Sequence, residues 1–128
     1  MKKLIGLWID RKRALILTLE EKKEQLKQIQ SNLETYTQFE GDTHAKYFKA
    51  EDQMDRHLGE HMKKYYREII TSVRDAAAIL IMGPGEAKFE FEKRLAHEHV
   101  KARVAMVETA DKLTERQFTA RVKKYFKS

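Results

Sequence analysis

Cysteine is absent from the chain, proline occurs once, and glycine accounts for only five of 128 residues. Without cysteine there is no disulfide, no thiolate metal site and no cysteine nucleophile, a composition that fits a cytoplasmic protein. No internal repeat, low-complexity tract or linker interrupts the sequence. No apolar run approaches the roughly 20 residues that a membrane helix needs. Met1-Lys2-Lys3 before the run LIGLWI superficially resembles a secretory signal. That run is too short, and Asp10-Arg11-Lys12-Arg13 ends it. No membrane association is expected.

What the chain does have is charge. Charged residues make up 36% of it and hydrophobic residues 41%, enough for one real core beneath a densely charged surface. A length of 128 residues predicts one domain over 1–128. The net charge of +6 attracts polyanions, nucleic acid first. The basic residues cluster at the two ends. Residues 1–13 carry Lys2, Lys3, Arg11, Lys12 and Arg13 against Asp10, and residues 115–128 carry Arg116, Arg121, Lys123, Lys124 and Lys127 against Glu115. If the ends of the chain lie together, one face is basic.

Hydrophobic periodicity organises the rest. Residues 4–9 predict a buried strand, 10–13 a polar turn, and 14–19 a second strand paired with the first as a hairpin. Residues 20–24 read as a charged connection and 25–33 as a third strand. Residues 35–46 read as a long loop. Over 49–74 the residues Met54, Leu58, Met62, Tyr65, Tyr66, Ile69, Ile70 and Val73 recur at helical spacing. Gly59 weakens the first half of that helix by about 1 kcal/mol relative to alanine. Residues 77–82 predict a fourth strand that turns at Gly83-Pro84-Gly85 directly into a helix over 86–99, with Ala87, Phe91 and Leu95 as its buried stripe. Residues 103–107 predict a fifth strand. Thr114-Glu115-Arg116-Gln117 is a capping box that opens a last helix with the face Phe118, Val122, Tyr125 and Phe126. The order βββαβαβα defines an α/β domain with a five-stranded mixed sheet, because right-handed crossovers set the later strands parallel to the first. Ribonuclease-H-like and ribosomal-protein-like architectures share this order.

A ribonuclease-H-like nuclease would need several carboxylates around two divalent metals. Asp10 ends the first strand, and Glu51 or Glu60 stands on the long helix. The fourth strand, however, ends in Met82-Gly83, and the nearest acid, Glu86, lies in the following helix. Asp10 equally suits a turn. His57-Leu58-Gly59-Glu60-His61 matches the inverted zinc-protease pattern, but no third ligand accompanies it, and a solvated helix face is the plainer reading. Glu86 in the first helical turn disfavours an anion at the Gly-Pro-Gly corner. No catalytic, cofactor-binding or metal-binding residue is assigned, and a non-catalytic protein is expected. Between residues 35 and 66 aromatic and basic side chains interleave, the pattern that stacks unpaired bases and neutralises phosphates. The candidate RNA contacts are Arg11, Lys12, Arg13, Lys46, Lys49, Arg56, Lys63 and Lys64. Phe89 falls opposite the buried stripe of its helix and is a candidate partner contact, for example in a homo-oligomer.

The segment ILIMGPGEAKFEFEKRL, with Lys88 and Phe91, resembles the middle domain of the class I release factor and Pelota family. The stretch VETADKLT over 107–114, with Gln117 and Val122, resembles small bacterial relatives of that domain, described as translation-machinery-like or host-attachment-like. The resemblance implies this fold and an association with the ribosome or RNA. In release factors the domain carries a Gly-Gly-Gln loop whose glutamine helps water attack peptidyl-tRNA. The equivalent region here, 35–57, contains Gly41 as its one glycine and no Gly-Gly-Gln. Pelota-like members lack the tripeptide as well and act in ribosome rescue. The resemblance therefore implies docking without peptide release.

Overall fold

The computed structural model describes residues 3–31 and 51–127, with side chains from Gly59 onward in the second stretch. The chain runs β1 (Lys3–Ile9), β2 (Arg13–Glu20), β3 (Lys23–Gln30), α1 (Glu51–Val73), β4 (Ala78–Gly83), α2 (Ala87–His97), β5 (Arg103–Thr109) and α3 (Glu115–Lys127). The five strands form one mixed sheet in the order β3-β2-β1-β4-β5. Two antiparallel pairings, β1 with β2 and β2 with β3, adjoin two parallel ones, β1 with β4 and β4 with β5.

Strands flanked on both sides and covered on both faces must be apolar throughout. Accordingly, β4 is buried at every position, and β1 is buried from Ile5 to Ile9. The segment that imitates a signal peptide is thus the central strand. Alternate residues serve opposite faces. Ile5, Leu7, Ile9, Ile16, Ile79 and Ile81 meet the Tyr65–Val73 face of α1 and Ala87, Phe91 and Leu95 of α2. Trp8, Leu15, Leu17, Leu80 and Met82 meet Phe118 and Val122 of α3.

Several boundaries move from their sequence positions. The third strand begins at Lys23 rather than residue 25 and ends at Gln30 rather than 33. The charged connection shrinks to Glu21-Lys22, because Glu20 pairs directly with Lys23. Six of the eight β3 residues are charged or polar, so the strand shows no hydrophobic onset from which its start can be read. Glu21 takes φ 39°, the left-handed conformation that such two-residue hairpin turns favour. The fifth strand continues through Glu108 to Thr109 beside Met82 and Gly83. The second helix ends at His97, and His99 turns left-handed at φ 54°. The capping box forms as expected: Gln117 N donates to Thr114 Oγ1 at 3.1 Å, and Thr114 N donates to Gln117 Oε1 at 3.0 Å.

Close approach of α3 to β1 depends on Gly6. A Cβ there would lie 2.2 Å from Val122 Cγ2 and 2.9 Å from Val122 Cβ, so the helix itself would have to shift. Gly6→Ala is expected to cost about 1–3 kcal/mol by overpacking. Because the clash is with Val122, adding Val122→Ala should relieve part of it. Denaturant unfolding of both single variants and the double variant checks this, and strictly additive losses would contradict the packing described.

Candidate nucleic-acid interface

The carboxyl ends of β1 and β4 lie side by side, and the loops that leave them are tied together by a network of polar contacts. Asp10 follows β1 immediately. Its Oδ1 accepts the Lys12 and Arg13 backbone N–H groups, each at 2.8 Å, which closes the β1–β2 turn. Its carbonyl accepts the Tyr65 hydroxyl at 2.8 Å. Ser31, buried just past β3, donates its hydroxyl to the Arg11 carbonyl at 2.6 Å and to the Lys12 carbonyl at 3.2 Å. The Ser31 carbonyl in turn meets His61 Nε2. The Arg11 guanidinium bonds Glu90 Oε2 at 2.9 Å, and Glu90 Oε1 accepts the Tyr66 hydroxyl at 2.6 Å. The turn is thereby held by α1, α2 and the end of β3 together.

Burial holds the Tyr65 and Tyr66 phenols above their ordinary range, and the hydrogen bond to Glu90 raises Tyr66 further. Between the turn and the Gly-Pro-Gly corner lies a shallow depression of about 380 Å³, lined by Asp10, Arg11, Lys12, Pro84, Gly85, Glu86 and Ala87. Gly83 permits this closeness, since a Cβ there would stand 2.2 Å from the Ile9 carbonyl oxygen. Lys88 is buried and donates to the Gly85 carbonyl, tying the corner to the first turn of α2. Its ammonium lies 4.6 Å from the centroid of Phe89.

The candidate RNA contacts divide. Arg11, Lys12 and Arg13, adjacent in sequence, diverge in space. Arg11 turns toward α2, Lys12 is exposed at the turn, and Arg13 crosses to the α3 side, 5.6 Å above the Trp8 ring. Lys63 and Lys64 are exposed on α1, just before the tyrosines that hold the turn, and Lys63 lies 3.4 Å from Glu60. Lys12, Lys63 and Lys64 therefore share this end of the sheet. Lys46 and Lys49 lie outside the described residues, as does the whole of 35–46, and so do the side chains of Arg56 and His57 on α1. Phe89 is exposed, at 43% of its surface.

The start of β1 and the end of α3 do meet, with Leu4, Phe126 and Lys127 around one depression. Much of their charge is offset locally. Lys3 pairs with Asp75 at 2.8 Å and Glu20 at 3.5 Å, Arg121 with Glu108 at 3.4 Å, and Lys123 with Glu24 at 2.5 Å. Sequence counting saw the cations but not these partners, which come from distant strands and turns. The nuclease geometry is not assembled from the described side chains. Asp10 Oδ1 is engaged by the turn, Glu60 is exposed beside Lys63, and His61 bonds a backbone carbonyl. Among the described residues no three His, Asp or Glu side chains are grouped to hold a metal. Sequence reasoning missed Ser31 and Glu90, whose roles arise from contacts 20 and 79 residues away and leave no local signal.

By strand order and crossover pattern this is a five-stranded mixed α/β fold of the ribonuclease-H-like type. No protein-family profile and no curated protein matches the chain. Among solved structures it is similar to the Pelota protein of Thermoplasma acidophilum, with TM-score 0.59 and 16% identity over 99% of this chain and 32% of that one. It is also similar to Pelota of Archaeoglobus fulgidus, with TM-score 0.58 and 14% identity over 95% of this chain and 31% of that one. An archaeal translation termination factor gives TM-score 0.49 at 16% identity, over 98% of this chain and 35% of that one. The likeness is one of fold, and the chain spans about a third of the length of these proteins.

The tyrosine bracing predicts an alkaline limit to stability. An unfolded tyrosine loses its proton near pH 10, whereas the folded phenols hold theirs to higher pH. Their contribution is therefore complete below about pH 10 and declines as pH rises beyond it. Lys3, raised by its hydrogen bond to Asp75, adds a smaller loss in the same window. Urea midpoints at pH 8 to 11 should fall for the wild type and fall less steeply for the Tyr65→Phe, Tyr66→Phe double variant. Parallel curves would rule out the phenols as the cause.

Proposed function

We propose that the chain is a translation-related, non-catalytic protein that docks on RNA, with ribosomal RNA as the ligand class. The observation that carries this reading is the fold shared with two archaeal Pelota proteins over 95% or more of the chain. It agrees with the residue-level resemblance of the Gly-Pro-Gly corner and with the net charge of +6. The absence of Gly-Gly-Gln from 35–57 separates the proposal from peptide release.

Docking would use the carboxyl end of the sheet. There Lys12, Lys63 and Lys64 stand exposed around a turn fixed by Asp10, Tyr65 and Ser31. A rigid platform with cations at its margin neutralises phosphates at low ordering cost, and such binding releases counterions. Glu90 holds Arg11 and Glu60 stands beside Lys63, so part of the platform's charge is offset within the chain.

The test is filter binding of ribosomal RNA as a function of salt, with wild type against the Lys63→Glu, Lys64→Glu variant. Each lost phosphate contact should lower the salt slope by about 0.7–0.9. The double reversal should weaken binding at least tenfold. Unchanged slope and affinity would remove α1 from the interface. In lysate gradients, migration as a free small protein even at low salt would overturn the reading as a whole.

A further inference from the structure

The two faces of the sheet are covered unequally. On one face α1 and α2 lie side by side, while on the other α3 is the one helix among the described residues, packing through Phe118 and Val122 onto β1 and β2. The β3 positions on the α3 side are fixed by register, because Glu24, Leu26 and Gln28 pair with Leu19, Leu17 and Leu15. Leu26 is left 37% exposed on that face. A groove therefore runs between α3 and β3.

A depression marks each end of the groove. One, of about 400 Å³, has Leu4, Leu19 and Phe126 as its floor and Lys22, Lys23 and Lys127 on its rim. The other, of about 390 Å³, includes Leu15 with Arg13 and Lys112. From Leu19 to Leu15 the strand covers four residues, about 14 Å, the length of roughly nine residues of helix.

We propose that this groove docks an acidic amphipathic segment of a protein partner, with apolar anchors over Leu19, Leu26 and Phe126 and carboxylates on the lysine rim. Charge complementarity selects the occupant. Lys22, Lys23, Lys112 and Lys127 make no ion pair with a described residue, and although Glu21 and Glu115 also line the depressions, cations outnumber carboxylates at both ends. Lys123 crosses the groove to Glu24, but both are partly exposed, at 38% and 49%. So exposed a pair contributes little, and a partner carboxylate can take Glu24's place. The floor is mainly aliphatic, and its one ring, Phe126, already packs edge-on against Tyr125 at 5.1 Å. A nucleic acid would want a series of aromatic faces instead. This site is separate from the RNA platform, and it stands whether or not that reading does.

A displayed library of random 12-residue peptides, panned on the full chain, tests the proposal. Leu26→Asp and Lys127→Glu alter exposed positions, and the doubly substituted chain, shown to be folded by its thermal transition, serves for counter-selection. Selected peptides should carry apolar residues three or four apart among Asp and Glu. They should bind wild type at least tenfold more tightly than the double variant and shift the Leu19 and Leu26 methyl resonances. A basic consensus, no enrichment, or equal binding to both proteins would overturn the assignment. So would movement of those methyls by oligouridylate rather than by peptide.

Discussion

A strand with a partner on each side and a helical layer on each face has almost no room for polar groups, and β1 is under that constraint from Ile5 to Ile9. Everything else is stacked on it. Ile5, Leu7 and Ile9 present one face to the α1 and α2 layer, and Gly6 and Trp8 present the other to α3. The absence of a side chain at Gly6 sets how near α3 can come. Trp8 fills the space beyond it and donates its indole N–H to the Ala110 and Asp111 carbonyls, each at 3.2 Å. One residue thus packs the core, satisfies its own polar atom and fixes the segment that leads into the capping box of α3.

Where β1 stops, the constraint reverses. Chain leaving a buried strand must satisfy its backbone polar groups without help from the ladder. Here the carbonyls of Asp10, Arg11 and Lys12 are taken up by Tyr65 and Ser31, and the Arg11 side chain by Glu90. These partners belong to α1, to the end of β3 and to α2, so the turn cannot move without disturbing three elements. Asp10 accepts two backbone N–H groups and is committed to holding the turn.

Much of this was legible in residue order. The apolar runs of β1, β2 and β4, the helical spacing of Tyr65, Tyr66, Ile69, Ile70 and Val73, and the Thr114–Gln117 box each have one physical reading, and each formed as read. The start of β3 was not legible, because Lys23-Glu24-Gln25 lies on an exposed strand whose position is set by pairing with β2 rather than by burial. At the candidate site, the cations were legible and their neutralisation was not. Glu90 looks like any exposed helix acid, yet topology brings it to Arg11 and Tyr66. Arg11, Lys12 and Arg13 look like one basic patch, yet a strand's alternation sends Arg13 to the opposite face.

The same alternation explains why the sheet's two faces differ in what they can bind. Toward α1 and α2, β3 contributes Ile29, buried, and Lys27, whose ammonium reaches Ser72 Oγ at 3.2 Å, so that face is closed by its own helices. Toward α3, β3 contributes Leu26 and Gln28, and no second described helix lies over them. On the far flank of α3, Met106 of β5 is likewise 43% exposed beside Leu80. One helix of 13 residues cannot span the width of five strands. At about 4.8 Å per strand the sheet is roughly twice as wide as the helix is thick. The uncovered apolar residues therefore follow from the element order itself. Among the described residues this order leaves open flanks on the α3 side, and the lysines around one of them decide what it attracts.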